Sequence, residues 1–327
     1  MIVIFSYSGD AGTTPVLKWL DHFSVPYVRV NLEEEDYSGI SLKMKNSKTQ
    51  LTFTQINGNV IDWETVAYSF YRGGVLSLNN STHLSDQKGN DYIFEKYTFL
   101  EYSSLTSFFY EEVSKKCLGN LIISNNPLNK LSQLSEANKC GMNIPETFIS
   151  ADMEWVKLQA KNKKELITKA IQETIFEENN EGSFLELKSN LVQPESLEGK
   201  YFPSLFQESV DKKLEVRTFV LEDQFYSLGM YVPNTLKQSV DFRSNVDNLR
   251  FFKHELPEKL KAKIINFMNR LNLNTGSFDF LVDRNDRYIF LEVNPTGQYD
   301  WVSACGLYDI EKQIALFLKK KHDEYSQ

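Results

Sequence analysis

Ser277-Phe278-Asp279-Phe280-Leu281-Val282-Asp283, a short break, then Tyr288-Ile289-Phe290-Leu291-Glu292-Val293-Asn294-Pro295 is the stretch that decides how the chain is read. The two segments read as strands of a β-hairpin, with Asn285 and Asp286 supplying the turn. Glu292 and Asn294 lie two apart, so their side chains leave one face, and Asp279 on the partner strand can reach that face. Two carboxylates and an amide oxygen make a hard, all-oxygen donor set, suited to Mg²⁺ held between protein and phosphate groups. The plainer reading is a hairpin with solvated acids. Against it, Glu292 follows the apolar run Tyr288 to Leu291 and belongs near a core, where an unpaired carboxylate is costly. Spacing alone leaves both readings open.

Asp279 followed by Glu292-x-Asn294 resembles the magnesium signature of the ATP-grasp ligases, and further motifs lie upstream in that family's order. Pro127-Leu128-Asn129-Lys130-Leu131, with Ala137, Gly141, Ile144 and Pro145, is similar to the first nucleotide lysine and its helix. Glu165-Leu166-Ile167-Thr168-Lys169-Ala170-Ile171 resembles the strand of the second lysine. Leu205-Phe206-Gln207-Glu208-Ser209-Val210 resembles the linker that reads adenine. Lys213-Leu214-Glu215-Val216-Arg217-Thr218-Phe219-Val220 resembles the next strand, with its ribose acid and catalytic arginine.

The flanks narrow the resemblance to one branch, the peptide-modifying ATP-grasp maturases, including the microviridin-type and grasp-with-spasm ligases. They are Met1 to Ser6, Val28-Arg29-Val30-Asn31, Ser69-Phe70-Tyr71-Arg72-Gly73-Gly74, Val240-Asp241-Phe242-Arg243, and Asn294 through Trp301. Departures fall at Phe70, Gly73, Phe242 and Tyr299, and bear on specificity rather than on the chemistry.

The resemblance implies roles residue by residue. Lys130 and Lys169 hold ATP phosphates. Gln207, Glu208, Ser209 and Val210 contact adenine mainly through the main chain. Glu215 accepts from the ribose hydroxyls, its plainer alternative being a pair with Lys212 or Lys213. Arg217 and Arg243 are the catalytic arginines: Arg217 is a two-point grip for a γ-phosphate or acyl phosphate, and Arg243 is expected in a loop by the same cleft, its alternative being a surface pair with Asp241. Asp279, Glu292 and Asn294 bind Mg²⁺. Lys169 interrupts an apolar strand expected to be buried, and a buried lysine needs an anionic partner. Arg72 is expected to add positive charge to the same cleft.

The implied activity is that of an ATP-dependent ligase. It activates Asp or Glu side chains of a ribosomal precursor peptide as acyl phosphates and joins them to Thr or Ser hydroxyls, closing ester macrocycles. An amide-forming maturase, a RimK-like ligase that adds amino acids to a peptide tail, and a non-catalytic nucleotide- and peptide-binding scaffold stand as alternatives. The cofactors are ATP and Mg²⁺. The partner is a precursor peptide with a leader and a Thr/Ser- and Asp/Glu-rich core. The acidic stretch from Glu177-Glu178 through Glu181, with Glu186, Glu195 and Glu198, offers partners for a basic leader residue, its plainer alternative being a solvated face. Members of the branch often form homodimers.

Composition agrees with that class. The 327 residues are 41% hydrophobic and 24% charged, ordinary for a globular enzyme of two or three domains. The net charge of −8 argues against bulk nucleic-acid binding. No apolar run approaches the roughly 20 residues of a membrane helix, and the start of the chain lacks signal-peptide features. Three cysteines, in no zinc or redox spacing, predict a reduced cytoplasmic setting. Four scattered histidines disfavour a zinc enzyme. Lys319-Lys320-Lys321 reads as a solvated helix end. No glycine-rich phosphate loop is present, so lysines, an arginine and metal must hold the phosphates.

The fold class predicted is α/β (α+β): an ATP-grasp fold with an N-terminal α/β pre-ATP-grasp domain over residues 1–120, a central lobe over 121–199 and a C-terminal lobe over 200–327 with the Mg²⁺ site. Nucleotide is expected between the last two. Strands are predicted at Ile2–Phe5 and Tyr27–Val30, a helix at Pro15–Phe23, and a hairpin of Leu51–Ile56 with Val60–Ile61 about Asn57-Gly58-Asn59. Glu95–Cys117 reads as a helix whose aromatics pack in the core. Ser81–Asn90 and Ile171–Asn180 read as loops, with Glu181-Gly182-Ser183 a mobile turn. The third lobe is predicted to hold strands near Glu215–Leu221, Phe225–Tyr231, Ser277–Val282 and Tyr288–Val293, and helices at Glu258–Leu271 and Asp309–His322.

Overall fold

A computed structural model describes residues 1–34, 39–46, 48–76, 91–119, 129–162, 165–171, 175–177, 184–186, 189–197, 202–231 and 250–327. The chain begins β1 (Ile2–Ser6), α1 (Thr13–His22), β2 (Tyr27–Asn31), then the antiparallel strands β3 (Ile40–Lys45), β4 (Lys48–Thr54) and β5 (Val60–Asp62). β6 (Tyr68–Tyr71), α2 (Asp91–Ser114) and β7 (Cys117–Leu118) complete the first third. Every residue of β1 is buried, as expected for a strand covered on both faces. It sits inside a parallel sheet of order β2-β1-β6-β7.

Alternation along β1 divides two cores. Val3 and Phe5 pack with Val30, Phe53, Trp63, Phe109 and Val113. Ile2 and Ile4 face the other way and pack with Val16 and Leu20 of α1. The aromatics of α2 are core only in its second half: Phe109 and Tyr110 are buried, whereas Tyr97 and Phe99 are exposed.

Next come α3 (Lys130–Lys139), β8 (Thr147–Ser150), α4 (Met153–Asn162), β9 (Leu166–Lys169), β10 (Ile175–Glu177), β11 (Phe184–Glu186), β12 (Asn190–Leu191) and β13 (Ser204–Glu208). An antiparallel sheet of order β12-β9-β13-β8 packs Leu166 and Phe206 on Met153 and Val156 of α4. The segment Ile171–Asn180, read as a loop, contains β10, which pairs with β11. Residues 81–90 and 181–183 lie outside the described residues.

The last third holds β14 (Lys212–Leu221), β15 (Gln224–Tyr231), β16 (Arg250–His254), α5 (Glu258–Arg270), β17 (Thr275–Asp283), β18 (Tyr288–Asn294), α6 (Asp300–Gly306) and α7 (Ile310–Tyr325). Its antiparallel sheet has the order β16-β15-β14-β17-β18. One face, with Val216, Val220, Phe278, Phe280, Phe290 and Val293, packs on Leu260, Ile264 and Phe267 of α5 and Leu134 of α3. On the other face Phe219, Leu221 and Leu228 join Ile2, Ile4 and α7 in one core, so the N-terminal sheet is fastened to this one by apolar packing.

Two local features set the site. Residues 283–287 close the β17–β18 turn: Asp283 N donates to the Arg287 carbonyl, Asp286 N to the Asp283 carbonyl, and Asp286 takes the left-handed φ of 59° that Asn and Asp tolerate. In β18 the register shifts between Asp279–Glu292 and Phe280–Phe290, which makes Leu291 a bulge. Strict alternation would put Glu292 and Asn294 on the face of Phe290. The extra residue resets the phase, so Phe290 and Val293 both enter the core and Glu292 and Asn294 leave on the opposite face.

Phe290→Ala should therefore cost about 3–5 kcal/mol, because the hole opens in the contact between sheet and α5. Denaturant unfolding monitored by far-UV circular dichroism measures it, and a loss well under 1 kcal/mol would mean that this face is not the lobe's core.

Candidate functional site

The face of the five-stranded sheet turned away from α5 carries the charges. Register pairs place Arg217 of β14 opposite Asp279 of β17, and Asp279 opposite Glu292 of β18, in one cross-strand rung. Nε of Arg217 lies 3.0 Å from Oδ1 of Asp279. Nζ of Lys130, the first residue of α3, lies 2.8 Å from Oε2 of Glu292. Side-chain exposures of 9% for Lys130, 14% for Arg217, 27% for Asp279 and 28% for Glu292 place the rung half out of water. Like charges directly opposite on a sheet destabilise it, and Lys130 and Arg217 flank the Asp279–Glu292 pair and offset that repulsion.

The helix that delivers Lys130 is locally specified. Asn129 caps it by accepting from Leu131 N at 2.8 Å. One turn on, the buried Gln133 accepts from Val293 N at 2.8 Å, and the Asn143 carbonyl accepts from Phe290 N at 2.8 Å. These bonds satisfy the outer edge of β18 and fix α3 beside Glu292. Burial opposes ionisation of Glu292, but the charge and hydrogen bond of Lys130, with the charges of Lys169 and Arg217, outweigh it and hold the carboxyl below the usual range.

The remaining expected residues fall as follows. Lys169 ends β9 half-buried, not in a fully buried strand, and close enough to Glu292 to act on its ionisation. Glu215 is buried two residues before Arg217 and meets Lys212 Nζ at 2.6 Å, the plainer partner foreseen for it. Gln207 is wholly buried and donates through Nε2 to Thr147 Oγ1 at 2.8 Å. Gln207 and Glu208 end β13, and Glu208 N and Ser209 N donate to the Glu146 and Glu165 carbonyls. Ser209 and Val210 connect β13 to β14. Asn294 lies one rung beyond Glu292, in register with Ser277, and its Oδ1 accepts from Thr296 N at 3.0 Å and Thr296 Oγ1 at 2.7 Å.

Arg243 and Asp241 lie outside the described residues, as do Glu178, Glu181 and Glu198 and the side chains of Glu177 and Glu186; Glu195 is exposed. Arg72 does not add free charge to the cleft: it is buried and paired with Asp10 and Asp300.

Sequence reading missed three contributors. Trp301 lies with its ring centroid 5.3 Å from the Arg217 guanidinium carbon, within cation–π reach. Leu281, paired with Glu215, and Leu291 at the bulge are half-buried apolar residues beside the charged rung. Periodicity marked the leucines only as strand residues, and Trp301 follows a glycine loop whose course the sequence does not disclose.

Among the described residues no three His, Cys, Asp or Glu side chains gather into a metal cage. The donor set still fits Mg²⁺, which is commonly bound by one or two carboxylates and takes its other oxygens from phosphates and water. Asp279 and Glu292 are such a pair. Lys130, Lys169 and Arg217 around them suit phosphate oxygens.

Lys130→Met should leave Glu292 half-buried with weaker compensation and lower stability at neutral pH by about 1–3 kcal/mol. Adding Glu292→Gln should restore most of the loss. The sign in pH follows from the depressed carboxyl: its contribution is present above the unfolded value near 4.3 and is lost as pH falls through the lower folded value. Lys130→Met should flatten that acid limb, and urea unfolding from pH 3 to 7 measures it. An unchanged limb would show that Lys130 does not set the ionisation of Glu292.

No protein-family model matches the chain, and no curated protein matches it. Solved structures do. An ATP-grasp ligase of Chryseobacterium gregarium associated with a ribosomally made, modified peptide, solved with ADP and a leader and core peptide, aligns at a TM-score of 0.81 and 22% identity over 98% of this chain and 96% of that one. The macrocyclase MdnC of Microcystis aeruginosa, bound with precursor peptide MdnA, aligns at 0.75 and 20% identity over 98% and 99%. The ATP-grasp ligase PsnB, with a minimal precursor, Mg and ADP, aligns at 0.71 and 14% identity over 98% of both chains. On these alignments the chain has the fold of the ATP-grasp ligases.

Proposed function

We propose that the protein is an ATP-dependent ligase that activates side-chain carboxylates of a ribosomally made precursor peptide and closes them onto Thr or Ser hydroxyls as ester macrocycles. The observation that carries this reading is the rung Arg217–Asp279–Glu292 closed by Lys130. It gathers hard oxygen donors and fixed cations on one sheet face, as a triphosphate with its metal requires. Nucleotide is placed between the lobes of residues 121–199 and 200–327, with Glu215 toward ribose and Gln207 to Val210 toward adenine. The neighbours solved with leader, core or precursor peptides support a peptide substrate.

Asp279, Glu292 and Asn294 would hold Mg²⁺, which when bound would supply charge neutralisation. The chain's own residues do the rest. Lys130 and Lys169 orient the phosphates. Arg217, planar and held from two sides by Asp279 and Trp301, faces the γ-phosphoryl as it passes to the peptide carboxylate, stabilising charge that develops in transfer. The Thr or Ser hydroxyl oxygen then bonds to the acyl carbon as the acyl C–O bond to phosphate breaks, and inorganic phosphate leaves carrying the hydroxyl proton. Arg243, outside the described residues, keeps the catalytic role that its motif implies by resemblance. Among the described residues no helix is long and apolar enough to cross a membrane, and the cysteines are unpaired. We place the enzyme in the cytoplasm on that footing.

Asp279→Asn and Glu292→Gln should each abolish ADP release with peptide while circular dichroism stays native; wild-type-like release by both would remove the metal assignment. Arg217→Lys should retain nucleotide affinity and lose about 10²–10³-fold in product formation, since lysine keeps the charge without the planar grip. Separate measurement of nucleotide binding and of peptide mass decides it. Loss of one water per ring is expected; gain of a residue mass would favour an amino-acid-adding ligase.

A further inference from the structure

One buried arginine reaches from the N-terminal sheet to the loop that leaves the candidate site. Arg72, directly after β6, has a side chain only 5% exposed. Its Nη1 donates to the Gly297 carbonyl at 2.6 Å and its Nη2 to Asp300 Oδ2 at 3.0 Å; Nη2 also lies 3.7 Å from Asp10 Oδ1. The guanidinium carbon stands 4.5 Å from the ring centroid of the fully buried Tyr299, whose hydroxyl donates to the Gly12 carbonyl at 3.1 Å. Asp10 is held in turn by the Ser6 hydroxyl at 2.9 Å, by Gly12 N at 3.1 Å and by the Thr13 hydroxyl. Burial disfavours its charge, but the Thr13 bond, Arg72 and the Ser6 bond overcome this and keep the carboxyl below its ordinary range.

The loop so held begins and ends at the site. It starts at Asn294, beside Glu292 on β18, where the Asn294 amide oxygen accepts two bonds from Thr296. It ends at Trp301, over Arg217. Between them the Gln298 carbonyl accepts from Ser277 Oγ at 3.0 Å. Two glycines clear the path. Gly297 has φ of +66°, and a Cβ there would come within 2.7 Å of the Phe219 ring. A Cβ on Gly12 would collide with the Asp300 carboxylate and stand 2.9 Å from Arg72 Nη2.

Joining the two sheets does not require this charge, because Ile2, Ile4, Phe219, Leu228 and α7 already do so in one apolar core. A buried ion pair adds little stability over an apolar contact of similar size. What a guanidinium adds is a rigid fork that fixes two acceptors at once, here a loop carbonyl and the carboxylate three residues on. We propose that Arg72 is a positioning residue for the metal and nucleotide site, acting through the loop Asn294–Trp301: it sets Asn294 beside Glu292 at one end and Trp301 over Arg217 at the other. This rests on the reading of the charged rung as a Mg²⁺-nucleotide site.

The test uses the full chain, ADP and Mn²⁺ as a spectroscopic substitute for Mg²⁺. Mn²⁺ affinity at saturating ADP is read from the electron paramagnetic resonance of the free ion, beside metal-free ADP affinity and the thermal midpoint. Arg72→Lys should weaken Mn²⁺ binding by about 10–100-fold, the usual effect of losing a partner that orients metal ligands, with metal-free ADP affinity unchanged. Gly12→Ala keeps every charge, and the φ of −67° at this position adds no backbone strain; its thermal midpoint reports whether it is folded. It should give the same signature by pushing Asp300 off Arg72. Wild-type Mn²⁺ affinity in both variants, whatever happens to the thermal midpoint, would reduce Arg72 to a structural tie and overturn the proposal. Failure of the unmodified protein to hold Mn²⁺ with ADP would instead bring down the nucleotide reading itself, and the proposal with it.

Discussion

Two carboxylates stand directly opposite each other across adjacent strands, and the site depends on how that repulsion is contained. Asp279 and Glu292 share a rung and a face. Left alone they would separate or take up a proton. Arg217 on one side and Lys130 on the other make the arrangement tolerable, and the same two cations are the groups a triphosphate would engage. On the function proposed above, one electrostatic constraint links the oxygen donors for a metal with the positive charge for its nucleotide.

The surrounding structure maintains that rung. Phe290 and Val293 bury the back of β18 against α5, and the Leu291 bulge turns Glu292 and Asn294 outward without exposing either. Gln133 and Asn143 close the edge of β18 and bring the first turn of α3, with Lys130, into range. Trp301 and Asp279 hold Arg217 from two sides. The N-terminal sheet, which shares an apolar core with Phe219, Leu221 and Leu228 on the face turned away from α5, reaches the same region through Arg72 and the loop after Asn294.

Much of this was legible before any coordinates. The hairpin at Asp279 and Glu292 announced itself through apolar runs and a polar turn, because strand period and turn chemistry are local properties. The apolar run Ile2–Phe5 of β1 and the amphipathic α5 and α7 were readable for the same reason. What escaped was non-local. A bulge at Leu291 leaves no mark in composition, yet it decides which face Glu292 takes. Lys169 looked buried from its apolar neighbours and is half-buried, since burial depends on what covers a strand. Arg72 looked like a cleft charge, and its partners Asp10 and Asp300 are brought to it only by the fold. The exposed Tyr97 and Phe99 of α2 show the same limit: apolar composition does not say which residues find a partner.

The central claim is that the carboxylate pair and the flanking cations act together on a metal-bound nucleotide. Calorimetric titration of ADP into the protein with and without Mg²⁺, repeated with Asp279→Asn, tests it most directly. The account predicts that Mg²⁺ strengthens ADP binding to the unmodified protein and that the substitution removes this gain while leaving metal-free binding in place. Equal ADP affinity with and without Mg²⁺ in the unmodified protein would contradict it.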